Sequence, residues 1–179
     1  MSKIKYESRY FFKDCNPDLI FILPKEQNQT WDVAYSFEND KYLLTTKLDQ
    51  VVKIRNEKFL EIKNIVSQTN DYKVFEKKVE LKMPVDLKKV LKSEVLKTVT
   101  ILKKRFKYKG SDSTKFEFSK IEVGNKIFYT FCIESKDKLE HELYIEQYKN
   151  HRQAALRIQE KIILSYTEFL QWLRQNDNR

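Results

Sequence analysis

Charged side chains stand at alternate positions in five stretches of this chain: Lys5-Glu7-Arg9, Lys53-Arg55, Glu61-Lys63, Glu76-Lys78-Glu80 and Lys103-Arg105. Glu134 continues the pattern in a sixth. Apolar or aromatic residues fill the intervening positions. Alternate residues of a strand point to one face, so each stretch reads as a strand with a charged face and an apolar one. Lys and Arg suit phosphate oxygens, and Arg can grip them through two parallel N–H bonds. Clustered glutamates suit a hard divalent ion such as Mg2+ or Mn2+. Cations beside carboxylate-held metal are the groups phosphoryl transfer uses, because that chemistry depends on positioning and charge neutralisation.

Two arrangements satisfy the alternation. In one, an antiparallel sheet turns its charged face to water. In the other, about eight strands close into a barrel with the charges in the lumen, which removes every sheet edge. Unpaired buried charge is costly, so the second arrangement needs a wet or ligand-filled lumen.

The elements that must position these residues follow from periodicity. Residues 3–12 alternate as a strand. Asn16-Pro17-Asp18 starts a short helix, with proline at its first position, ending near Pro24. Residues 31–37, 41–46 and 50–55 are strands, and 59–66 returns as a hairpin after Asn56-Glu57-Lys58. The segment 73–83 reads as one strand, with Phe75, Val79, Leu81 and Met83 opposite Glu76, Lys78, Glu80 and Lys82. A helix over 86–97 carries Leu87, Val90, Leu91 and Val95 at helical spacing. Strands follow at 98–109, 115–123 and 126–135, the last two joined at Gly124-Asn125. From Lys138 to Arg174 the pattern is helical, with a break near Asn150. The fold class is α+β: an antiparallel, hairpin-rich domain with flanking helices and a C-terminal helix.

At 179 residues with 41% hydrophobic content, one globular domain spanning 1–179 is expected. Only 2 Gly and 3 Pro occur, which argues against an interdomain linker. No apolar run is long enough to span a membrane, and the charged N-terminus is unlike a secretory signal. The two cysteines, Cys15 and Cys132, make no CxxC pair, so a reduced, cytoplasmic setting is expected. A net charge of +9 favours an anionic partner. His141 and His151 lack a third ligand and read as solvated helix surface. Tyr6, Tyr10, Phe11, Phe12, Trp31, Tyr35 and Phe37 fit strand core or, alternatively, a base-stacking platform.

The order of these motifs resembles the CYTH domain of the triphosphate tunnel metalloenzyme superfamily over nearly the whole chain. Members of that family open with an ExExK strand, here Lys5-Tyr6-Glu7-Ser8-Arg9. Asp32 and Tyr35, Lys53-Ile54-Arg55, Lys63, Glu76-Lys78-Glu80, Lys103-Lys104-Arg105, the late Cys132-Ile133-Glu134 and the helical LSYTEFL at 164–170 match later motifs in order. VFEKKVE and FLEIK are also similar to the polyphosphate-polymerase branch. Three positions depart from the pattern: Lys5 and Cys132 replace glutamates that hold the metal, and Arg9 replaces Lys.

The resemblance implies an eight-stranded closed barrel that binds a triphosphate with Mg2+ or Mn2+. It assigns phosphate binding to Arg9, Lys53, Arg55, Lys63, Lys78, Lys103 and Arg105. Metal binding falls to Glu7, Glu80 and Glu134, and catalysis to Glu76 and Glu80. The expected activity is a metal-dependent phosphohydrolase acting on a triphosphate or other organic phosphate. The alternative is a tunnel that binds nucleotide, polyphosphate or RNA 5′ ends without hydrolysis. A third reading, a basic nucleic-acid-binding module, rests on charge and aromatics alone. Oligomeric state is open.

Overall fold

The computed structural model describes residues 4–13, 34–91, 93–155 and 165–176, without the side chains of 34 and 151–155. The helix expected after Asn16 lies outside these residues, as do Cys15, Trp31 and Asp32. Nine strands are described: β1 (Lys5–Phe12), β2 (Ala34–Thr45), β3 (Gln50–Arg55), β4 (Phe59–Gln68), β5 (Lys73–Phe75), β6 (Val79–Lys82), β7 (Val95–Lys109), β8 (Thr114–Val123) and β9 (Lys126–Ser135). Three helices accompany them: α1 (Leu87–Leu91), α2 (Lys138–Ala155) and α3 (Tyr166–Asn176).

All pairings are antiparallel. The order β3-β2-β7-β8-β9-β1-β5-β4 closes on itself through β3–β4, and β6 adds to β4 beyond β5. The result is the expected eight-stranded closed barrel with one extra strand.

Inward positions change character along the strands in a concerted way. On β1 they run Lys5, Glu7, Arg9 and then Phe11; on β2, Glu38, Asp40 and then Tyr42, Leu44; on β3, Arg55, Lys53 and then Val51. On β7 they run Arg105, Lys103 and then Ile101; on β9, Glu134, Cys132, Thr130 and then Phe128. The barrel therefore has a charged half and an apolar half.

Helix α3 packs into the apolar half with Tyr166, Phe169, Leu170 and Leu173, a spacing that forms one helical stripe. Phe169 stacks on Phe11 at 4.0 Å between ring centres and meets Phe128 edge-on at 5.1 Å. A capping box starts the helix: Ser165 Oγ accepts from the Glu168 N–H, and Glu168 Oε2 accepts from the Ser165 N–H at 2.6 Å. The other oxygen of Glu168 accepts from Lys73 of β5 at 2.8 Å, which fixes the helix to the barrel wall.

Around much of the charged half the outer face is apolar and covered, although Tyr35 and Phe37 of β2 and Leu102 of β7 stay exposed there. Tyr10, Phe116, Phe131 and Ile133 form a second core with Ile145 of α2, and Leu43, Val52, Leu60 and Ile62 form a third with Leu91 of α1. Alternation here thus means charge inside and hydrocarbon outside. His141 of α2 is fully buried and not solvated as expected; its Nε2 lies 3.0 Å from Ser8 Oγ, and burial pushes its pKa down to about 4.

Four elements differ from the sequence reading. Residues 34–45 form one strand and not two, because Glu38 and Asp40, which resemble turn residues, point inward to cations. The helix expected over 86–97 ends at Leu91, since Val95 already pairs with Thr45 of the long β2. The segment 73–83 is interrupted at 76–78, and β4 carries an irregularity between Ile65 and Ser67. That break changes strand parity, so Phe75 and Lys78 both line the cavity although they stand three apart. The expected C-terminal helix is two helices: α2 continues past Asn150 to Ala155, and α3 begins at Tyr166. Leu156 and Ile163 of that expected helix lie outside the described residues.

Candidate functional site: a charged barrel lumen

The charged half encloses a cavity of about 290 Å³. Ten Lys and Arg side chains line it against five glutamates, with the fully buried Asp40 behind them. Tyr42 and Tyr166 border it on the side of the apolar core. The Arg9 guanidinium lies 4.8 Å and the Lys103 ammonium 3.7 Å from the centre of the Tyr166 ring, cation–π contacts that seat both charges on the α3 plug.

Each carboxylate is shared among several cations. Asp40 Oδ2 accepts from Lys53 and Lys103, each at 2.7 Å, and Oδ1 accepts from Arg55 Nε at 3.3 Å. Glu61 lies 3.0 Å from Arg55 and accepts from Lys78 at 2.8 Å. Glu117 bridges Arg9 and Arg105, and Glu38 joins Arg55 to Arg105. Glu7 accepts from Arg9 Nε and from Lys63, both at 3.1 Å. Glu134 accepts from Lys5 at 2.7 Å and lies 3.9 Å from Lys63.

The protonation equilibria follow from this sharing. Burial alone would raise the Glu7 carboxyl, but Lys63 and Arg9 outweigh it and hold it at about 2. Glu117 is likewise held well down by Arg9 and Arg105 against its burial. Lys53 and Lys103 have only one close carboxylate in common. Burial, joined by the charge of Lys103, pushes Lys53 down to about 7, and burial pushes Lys103 down to about 8, both against the pull of Asp40. Burial pushes the Cys132 thiol well up despite Arg9, so it stands as a neutral, inert wall residue.

All seven cations expected to bind phosphate line this cavity: Arg9, Lys53, Arg55, Lys63, Lys78, Lys103 and Arg105. Glu7, Glu76 and Glu134 line it as well, and Glu76 accepts from Asn64 at 3.3 Å. Glu80 stands at the rim, directly across the ladder from Glu61, and accepts from Lys78 at 2.6 Å. Asp40, Glu38, Glu117, Lys107 and Lys115 join the site without having been singled out in the sequence. Their signal was present as Glu38-x-Asp40 and Lys115-x-Glu117 alternation.

A divalent ion needs several anionic oxygens free to face it. Among the described residues no three His, Cys, Asp or Glu side chains come close enough to hold one. Glu7 and Glu134 do stand opposite each other in the β1–β9 ladder. Arg9 and Lys63 hold the oxygens of Glu7, Lys5 holds one oxygen of Glu134, Cys132 is protonated, and Glu80 is paired elsewhere. As arranged, these residues do not fit Mg2+ or Mn2+.

No helix among the described residues is long and apolar enough to cross a membrane. No family model and no curated protein matches the sequence. Solved structures do match in fold. PH1819 of Pyrococcus horikoshii OT3 is 18% identical, with a TM-score of 0.52 over 93% of this chain and 98% of that one. The putative adenylyl cyclase HpAC1 from Hippeastrum, reported with a dominant triphosphatase activity, is 12% identical, with a TM-score of 0.53 over 83% and 88%. The Mimivirus capping enzyme triphosphatase is 10% identical, with a TM-score of 0.51 over 86% and 91%. Barrel closure and these likenesses agree, and the chain shares the closed antiparallel barrel fold of these proteins.

Proposed function

We propose that the protein binds the phosphate chain of a triphosphate-bearing ligand in the barrel lumen: a nucleotide, a polyphosphate or an RNA 5′ end. One observation carries this reading. Ten cations line a cavity of about 290 Å³ closed off by α3, against eight carboxylates (the five lining glutamates with Asp40, Glu38 and Glu80), so the resting lumen keeps a modest cation surplus that a short polyanion would neutralise. Arg9, Lys53, Arg55, Lys63, Lys78, Lys103 and Arg105 are the phosphate-binding side chains. Arg105 supports the assignment further, because its Nε is buried with no hydrogen-bond partner among the described residues. The fold likeness to proteins reported as triphosphatases is consistent with the same ligand class.

The hydrolytic reading retains one favourable observation, the facing pair Glu7 and Glu134. On that reading Glu7, Glu80 and Glu134 hold Mg2+ or Mn2+, and Glu76 and Glu80 serve catalysis. It requires the glutamates to give up their lysine partners.

A thermal-shift screen with tripolyphosphate, ATP and pyrophosphate, with and without Mg2+ or Mn2+, tests both readings when followed by phosphate release. A ligand bound by the folded state alone raises the melting temperature by mass action. The expected outcome is a clear shift with tripolyphosphate and no phosphate release. Release with metal would establish the hydrolase instead, and no shift with any of the three would overturn the phosphate-chain reading.

A further inference from the structure

We propose that Lys5 is a resident cation that takes the place of a divalent metal at the mouth of the lumen, so that phosphate-chain binding needs no divalent ion. The inference rests on the phosphate-chain reading of the lumen and concerns how its charge is supplied.

Lys5, Glu7 and Arg9 occupy the inward row of β1, and Glu134 of β9 stands opposite Glu7. Two carboxylates side by side carry two negative charges and attract a divalent cation. Here two ammonium groups already meet that demand. Lys5 Nζ donates to Glu134 at 2.7 Å, while Lys63 Nζ donates to Glu7 at 3.1 Å and lies 3.9 Å from Glu134. The four charges sum to zero, so the pair offers an arriving metal ion no net negative charge.

The Lys5 ammonium is also placed to meet a ligand. An ammonium has three N–H donors, and one of them serves Glu134. The side chain is 39% exposed, the most open of the ion-paired lysines lining the cavity, which places it at the mouth where a phosphate chain arrives. Lys115, across from Glu134 on β8, lines the same region with no ion pair among the described residues. An ammonium contacts phosphate without the reluctant dehydration that Mg2+ undergoes, so the mouth is ready for an uncomplexed polyanion.

Calorimetric titration of the full chain tests this. Wild type should bind tripolyphosphate in EDTA at least as tightly as in excess Mg2+. Lys5→Glu, which sets a third carboxylate beside Glu7 and Glu134, should weaken binding in EDTA by about tenfold or more, the effect of a lost charge-assisted bond plus a new like charge. The same variant should bind Mn2+ alone, which wild type should not. Lys5→Met, which removes charge without adding a ligand, should weaken tripolyphosphate binding and gain no Mn2+. As Lys5 is partly exposed, both variants should fold, and melting curves verify this. Wild-type binding that appears only with Mg2+ or Mn2+, Mn2+ binding by wild type alone, or unchanged affinity in Lys5→Glu would each overturn the role of Lys5. Absence of tripolyphosphate binding in both EDTA and Mg2+ would instead remove the phosphate-chain reading beneath it.

Discussion

The two halves of the barrel lumen solve opposite problems with the same strands. In the apolar half, Phe11, Ile101, Ile121 and Phe128 close around the α3 stripe, and every side chain there gains by leaving water. In the charged half, four residues or fewer away along each strand, Glu7, Arg9, Asp40, Lys53, Lys103 and Arg105 are nearly as buried. Those residues had to be desolvated, and their mutual attraction offsets that cost only in part. The lesson is a division of labour. The apolar half and the helix-covered outer faces supply stability, and the charged half is kept for recognition.

The strongest way to break this comparison is to attack the plug. Phe169→Ala removes a fully packed ring from between Phe11 and Phe128 and should cost about 3–5 kcal/mol, measured by urea unfolding. A loss below about 1 kcal/mol would mean that α3 is not part of the core, and the closed end of the lumen would then be open.

The next effect lies in the charged half and depends on pH. Asp40→Asn leaves Lys53 and Lys103 buried without their shared counter-charge, a change that should cost roughly 3 kcal/mol near pH 7. The cost should shrink as pH rises, since both ammoniums then shed protons. Wild type should show the related trend. With Lys53 at about 7 and Lys103 at about 8 when folded, and both near 10.4 when unfolded, the unfolded chain binds more protons between about pH 7 and 10. Stability therefore rises with pH across that interval, and the urea midpoint should climb. A flat profile would show that water, not Asp40, solvates these lysines.

How much of this was legible in the sequence follows from the same contrast. Strand existence and order came through because charged and apolar residues alternate with period two, and the Gly124-Asn125 hairpin came through from its turn residues, Gly124 having φ +58°. Which way the charges faced did not, because alternation is symmetric between in and out until something covers one face. The covering helices decide it, and an amphipathic stripe such as Tyr166-Phe169-Leu170-Leu173 says that a face is buried without saying against what. Residues 38–40 fell between two expected strands because Glu, Asn and Asp are poor strand formers. Only the β7 partners, Lys103 and Arg105 among them, show why the strand continues. The parity change at 76–78 has no composition signal at all; it comes from the irregular pairing of β4 with β5.

The smallest expected stability effect is the sharpest test of the division of labour. Lys103→Met replaces a buried ammonium with a side chain of similar length. Asp40 keeps Lys53 and Arg55 as partners, so no carboxylate is left alone. Because Lys103 is desolvated and only partly compensated, its loss should change stability by less than about 1 kcal/mol in either direction. Tripolyphosphate affinity should nevertheless fall by about tenfold, the worth of one charge-assisted contact. Unfolding and calorimetric titration of the same variant separate the two quantities. If Lys103→Met destabilised the fold as much as Phe169→Ala while leaving affinity unchanged, the charged half would be structural core, and the cation surplus of the lumen would no longer argue for a ligand.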